Sequence, residues 1–292
     1  SGGSIQPRCR LLAFWRGRMV LARGQNDPFN WHMSATGEPD NWDQFPPDSP
    51  IATQAISGNN AQIGQVPDIV NALIPYDQER LVFGGDHSIH VMYGDPMENG
   101  VLSLLSDSTG IAFGSAWCKD DDGTLYFFGS RGGVFRLDPG IASKPVKIST
   151  ASIDRRLRDV NLSLRTIAMV WDTDEQQLNL YQVPYGAGGT VLDHFCWEKE
   201  SDAWHKDVFK LSGLQPTSVA ILDGDDPDDR VVAVGCEDGF VRFFDKTATT
   251  DDGSAIDSYV TIGPFYDPSG SVRVRDPKVV LARDQSGCWL EL

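Results

Sequence analysis

Five histidines, His32, His87, His90, His194 and His205, are the residues of this 292-residue chain best suited to hold a metal or act as a general base, if the fold gathers them. His87 and His90 lie nearest in sequence, but a spacing of three puts their rings on opposite faces of a strand, so the pair is no chelate. Three turns, Asp120-Asp121-Asp122-Gly123, Asp223 to Asp229 and Asp251-Asp252-Gly253, offer hard oxygen ligands for Ca²⁺. None has the twelve-residue spacing and closing Glu of an EF-hand, so they read as solvated hairpin turns whose charge also guards strand edges. Cys9, Cys118, Cys196, Cys236 and Cys288 are scattered without a C-x-x-C pair and read as reduced, buried thiols. The G-x-S-x-G elbow, the H-E-x-x-H zinc motif and the phosphate-binding glycine loop are missing. No catalytic, cofactor-binding or metal-binding residue is therefore assigned, and the chain reads as a non-enzyme. Arg155, Arg156, Arg158 and Arg165 form a basic cluster suited to dock an acidic neighbour.

The elements that would position these residues come from a repeat. Phe83-Gly84-Gly85-Asp86-His87-Ser88-Ile89-His90-Val91-Met92, the run from Phe128 to Leu137, and Val234-Gly235-Cys236-Glu237-Asp238-Gly239-Phe240-Val241-Arg242-Phe243 align without gaps. Each reads as a strand, a glycine turn and a returning strand that alternates between a buried and an open face. Gly84 and Gly129 lie 45 residues apart, and Gly129 and Gly235 lie 106 apart, leaving room for a diverged copy around Leu178 to Val183. A period of roughly 40 to 50 residues carrying short paired strands is that of a β-propeller blade.

In chain order, Arg8 to Ala22 opens the first blade around an Arg-Gly-Arg turn, and residues 52–66 read as a long loop. Ile69 to Tyr93 and Ile111 to Leu137 supply the second and third blades. Ile153, Leu157 and Val160 are spaced for one face of a helix over residues 153–162. Thr166 to His205 and Ser218 to Phe244 supply the fourth and fifth blades, and strands at 258–265, 278–282 and 287–292 follow. The expected fold is an all-β propeller of about six blades with one short helix, its last blade incomplete or closed by the N-terminal strand. Residues 1–7 read as a linker or cut end, and 8–292 as a single propeller domain.

A chain that is 40% hydrophobic and 10% aromatic has material for a large core, and its Trp residues are expected to fill the spaces between blades. The net charge of −16 argues against general nucleic-acid binding, which draws on clustered Lys and Arg. No run approaches the roughly 18 consecutive apolar residues of a membrane helix, and no membrane partner is expected.

The order of segments resembles tailed-bacteriophage structural proteins of the tail nozzle, or tubular, and packaged-DNA stabilisation kind. The similarity runs through Arg18 to Ala22, Asn30-Trp31-His32-Met33-Ser34, Gly37 to Trp42, Ile69 to Tyr93, Tyr126 to Phe135, the arginine-rich helix, and Tyr259-Val260-Thr261-Ile262-Gly263-Pro264-Phe265. It covers roughly residues 10 to 290. The resemblance implies a virion structural protein of a phage tail or neck ring, assembled in the host cytoplasm. Its partners would be other copies of itself and neighbouring virion proteins, with DNA only as non-specific passage. An acidic lumen would then repel DNA phosphates and let the duplex slide. Two alternatives stand beside it: a propeller enzyme or carbohydrate-binding propeller with a site at the channel mouth, and a cellular protein-binding propeller scaffold. Against the last, no Gly-His to Trp-Asp signature spans the repeats.

Overall fold

Alternating apolar residues bounded by glycine and Asp turns fold here into antiparallel sheets stacked face to face. The computed structural model describes residues 8–47, 53–149, 151–186, 192–209, 212–226 and 230–244, with positions 3, 5, 248, 250, 251 and 253–255. The chain falls into two units, Ser1–Phe244 and Asp245–Leu292. In the first, β1 (Leu11–Trp15), β2 (Arg18–Ala22), β3 (Trp31–Met33) and β4 (Ile56–Ser57) form one sheet in sequential order. The second sheet is β5 (Ala72–Pro75), β6 (Arg80–Gly84), β7 (Ile89–Tyr93) and β8 (Val101–Ser106). The third is β9 (Trp117–Lys119), β10 (Leu125–Phe128), β11 (Val134–Leu137) and β12 (Val146–Lys147). Helix α1 (Ala151–Arg158) leads into the fourth, β13 (Arg165–Asp172), β14 (Gln177–Pro184), β15 (Asp193–Glu198) and β16 (Ala203–Val208). The fifth holds β17 (Pro216–Leu222), β18 (Val231–Cys236) and β19 (Val241–Phe243). In the second unit, Thr250–Asp251 pairs with Ser254–Ala255.

This is an all-β propeller with one short helix, as expected, and the described residues supply five blades against about six. The strands expected at 258–265, 278–282 and 287–292, and with them the closing of the ring, lie outside the described residues. Middle strands are buried on both faces. In β10, Tyr126 and Phe128 pack toward the fourth sheet with Met169, Trp171, Leu180 and Trp197, while Leu125 and Phe127 pack toward the second with Ile74 and Val82. The first two sheets meet through Trp15, Val20, Leu73, Leu81 and Phe83. Trp15, Trp31, Trp171 and Trp197 are buried in these inter-blade cores, as expected. On the first sheet's other face Leu12 and Phe14 are exposed, as are Val241 and Phe243 on the fifth, and no described strand covers them.

Four details differ from the sequence reading. The gapless alignment of the glycine hairpins conceals turns of different length, since the closing pairs are Gly84↔Ile89, Phe128↔Val134 and Gly235↔Val241. Outer strands β8 and β12 carry exposed Val101, Leu104 and Val146 and give little alternation to read. Within the expected loop at 52–66, Ile56 and Ser57 pair with Met33 and His32 as β4. The helix ends at Arg158, with Ile153 and Leu157 buried against the third and fourth blades; Val160 packs on the same core from beyond its end.

Candidate contact surfaces

The turn joining the first two strands of each blade sits at one end of the propeller, and side chains bond these turns from blade to blade. Trp15 Nε1 donates to Asp77 O at 2.6 Å, and Arg16 pairs with Glu79 at 3.2 Å. Tyr76 Oη donates to Gly123 O at 2.6 Å, while Lys119 Nζ donates to Tyr76 O at 2.8 Å. Thr173 Oγ1 donates to Asp121 Oδ1 at 3.1 Å. The turns thus gather Asp77 and Glu79, Asp120 to Asp122, and Asp172, Asp174 and Glu175 at that end. Turns between the third and fourth strands add Asp95, Glu98, Glu198, Glu200 and Asp202. The corresponding first turn of the fifth sheet carries Asp223, Asp225 and Asp226.

At the opposite end the bonds run through different residues. Arg23 donates to Val70 O at 3.2 Å and to the Asn71 side chain, and lies 5.2 Å over the Phe113 ring. Gly114 N donates to Asn71 O at 3.1 Å, and Thr166 Oγ1 to Phe113 O at 3.1 Å, carrying the connection from the first blade to the fourth. The arginine-rich helix enters the fourth blade from this side, which also carries Asp68, Asp86 and Asp107.

The acidic turn at 120–123 is not the solvated turn expected from sequence. Asp120 has its side chain 1% exposed. It accepts Thr124 N at 2.7 Å, Tyr126 Oη at 3.1 Å and Lys199 Nζ at 3.0 Å, the last from the following blade. Lys199 also pairs with Asp122 at 2.9 Å and lies 5.6 Å over the Trp171 ring, on which Tyr126 stacks at 5.4 Å. Burial opposes a charge on Asp120, but the Lys199 bond and the Thr124 amide outweigh it and hold the carboxyl below its ordinary range. Burial, then the charge of Asp120, pushes the Tyr126 phenol up. The run of three acids is a latch between blades, and which Asp points inward is set by the turn rather than by composition. Among the described residues, no group of three His, Cys, Asp or Glu side chains could hold a metal.

The histidines are dispersed. His87 sits exposed on a turn 3.2 Å from Asp86, whereas His32, His90 and His194 are buried. Burial pushes His194 down to about 4, and its Nδ1 accepts Gln182 N at 3.2 Å. Cys9, Cys118, Cys196 and Cys236 are free thiols, and burial raises Cys118 and pushes Cys196 up to about 12, so neither forms a thiolate at neutral pH. The arginines of the expected patch separate into two settings. Arg155 and Arg156 are exposed on α1, and Arg158 is exposed but pairs with Asp154 at 2.7 Å. Arg165 opens β13, half-buried, and donates to Gln182 Oε1 at 2.7 Å.

No protein-family model matches the chain, and no curated protein matches it. Among solved structures, it is similar to the extracellular domain of a one-component system from B. thetaiotaomicron, with 11% identity over 85% of this chain and 29% of that one, TM-score 0.45. A chain of the S. cerevisiae complex of Dbp5 with Nup159 and Gle1 is similar with 8% identity over 86% and 64% of the two chains, TM-score 0.48. The N-terminal domain of Nup159 follows with 11% identity over 80% and 60%, TM-score 0.39. The chain spans less than a third of the length of the B. thetaiotaomicron domain.

Proposed function

We propose that this chain is a non-enzymatic structural subunit of a tailed-phage neck or tail ring through which DNA passes. The observation that carries the reading is the gathering of acidic turns at one end of the propeller, from Asp77 and Glu79 through Asp121 and Asp122 and on to Asp172, Asp174 and Glu175. The acids of this end outnumber the cations Arg16, Arg80, Lys119 and Lys199 set among them, and a net negative surface repels like-charged polymer over about 8 Å at physiological salt, so phosphates near it would slide rather than adhere. The ordered resemblance from Arg18 to Phe265 supports the same assignment. In this reading the chain works in the virion, assembled in the host cytoplasm, against other copies of itself and neighbouring virion proteins. Exposed Arg155 and Arg156 on α1 would meet an acidic neighbour.

Light scattering of the full gene product, with negative-stain imaging of the same sample, tests the proposal. Rings or tubes with a central channel are expected, and a monomer at every concentration would overturn it.

A further inference from the structure

Away from the acidic end, a cleft of about 290 Å³ lies between the second and third blades, lined among others by Asp86, His87, Asp107, Thr109, Arg131 and Phe135. Its frame is built by bonds across the blade junction. Ser130 Oγ donates to Asp86 O at 2.6 Å, Ser130 N to Gly110 O at 3.2 Å, and Ile111 N to Gly85 O at 2.9 Å. Asp68 Oδ2 accepts His87 N at 2.7 Å and Ser88 N at 2.9 Å, which fixes the turn carrying Asp86 and His87. A Cβ on Gly110 would lie 2.4 Å from the carbonyls of Gly85 and Asp86, so the loops touch backbone to backbone and only glycine fits. Phe135 is steadied by stacking on Phe127 at 5.6 Å.

Three of the side chains at this frame are unused by the fold. Among the described residues, the side chains of Asp107, Thr109 and Arg131 make no hydrogen bond or ion pair. Their chemistry selects a ligand class. Asp86 is already engaged by His87 and by the Asn71 amide, which leaves the Asp107 carboxylate as acceptor, the Arg131 guanidinium as donor and the Thr109 hydroxyl as either, a set that suits a ligand whose groups both donate and accept hydrogen bonds. The half-buried Phe135 ring, stacked on Phe127 and with Lys147 Nζ 5.8 Å over it, adds an apolar edge to the cleft, which suits a ligand that carries hydroxyls around an apolar face. We propose that the cleft binds a sugar unit of a saccharide, its hydroxyls held by Asp107, Thr109 and Arg131 and its apolar face set toward Phe135. This goes beyond the ring assignment, and neither depends on the other.

A glycan array of bacterial surface polysaccharides, probed with the full chain and followed by calorimetric titration of free oligosaccharide from any positive spot, tests the site. Arg131→Ala and Asp107→Ala should each weaken binding about tenfold or more, because a ligand hydroxyl loses its partner in each. Both residues are exposed, so melting temperature should hold and the loss will not reflect unfolding. An array with no bound saccharide, or binding that both variants retain, would overturn the assignment.

Discussion

Replacing Asp120 by Ala removes the acceptor at the centre of the latch between the third and fourth blades. Tyr126 Oη and Thr124 N, both directed at this carboxylate, lose their partner in surroundings that water does not reach. Each orphaned donor costs about 1–3 kcal/mol. Lys199 loses less, because its side chain is 34% exposed and keeps Asp122; that part is worth about 0–1 kcal/mol. Asp120→Ala should therefore destabilise the propeller by about 3 kcal/mol, lowering Tm by roughly 6–12 °C for a domain of this size. Lys199→Met leaves the Asp120 carboxylate buried without its cation and should also lower Tm by several degrees. Circular dichroism melts of both variants beside the parent provide the measurement. If either Asp120→Ala or Lys199→Met melts within about 2 °C of the parent, the latch reasoning is wrong.

Other expectations follow from single sites. His194 is neutral in the fold with its pKa pushed down to about 4, whereas an unfolded histidine titrates near 6.5. Between those values the unfolded chain binds the extra proton, so stability falls as pH drops, by about 3 kcal/mol across the window. Urea titrations from pH 7 to 4 should show this slope, and His194→Gln should flatten it. Gly132 has φ +87°, and a Cβ there would lie 2.7 Å from Arg158 Cα, so Gly132→Ala should cost about 2–3 kcal/mol in the same titrations. Arg155→Glu with Arg156→Glu changes exposed helix positions and should move stability by less than about 0.5 kcal/mol. In light scattering the same double variant should reduce assembly if these arginines meet an acidic neighbour; unchanged assembly would remove them from the contact.

How far sequence reaches here depends on burial. Central strands such as β6 and β10 lie between two neighbouring blades, so they must be apolar on both faces, and Arg80 to Phe83 and Leu125 to Phe128 announce themselves. An outer strand such as β8 is half solvated, which loosens its composition and hides Val101 to Ser106 from a pattern search. Turn lengths were equally hidden, because a glycine marks a turn without counting its residues. The latch escaped for a related reason: Asp120 and Asp121 are adjacent and alike, yet the β9–β10 hairpin turns the first inward against Tyr126 and leaves the second at the surface. Only the register, with Tyr126 opposite Cys118, separates them. The cleft at Arg131 is assembled from three segments distant in sequence, and none of them is distinctive alone.

The most direct test of the ring assignment is an electron cryomicroscopy map of the assembled full gene product. A closed ring of copies with the acidic turns around Asp77, Asp121 and Asp174 bordering its channel is the result the account requires. Particles with a single copy, or a ring whose channel is bordered by Lys and Arg while those turns point away, would contradict it.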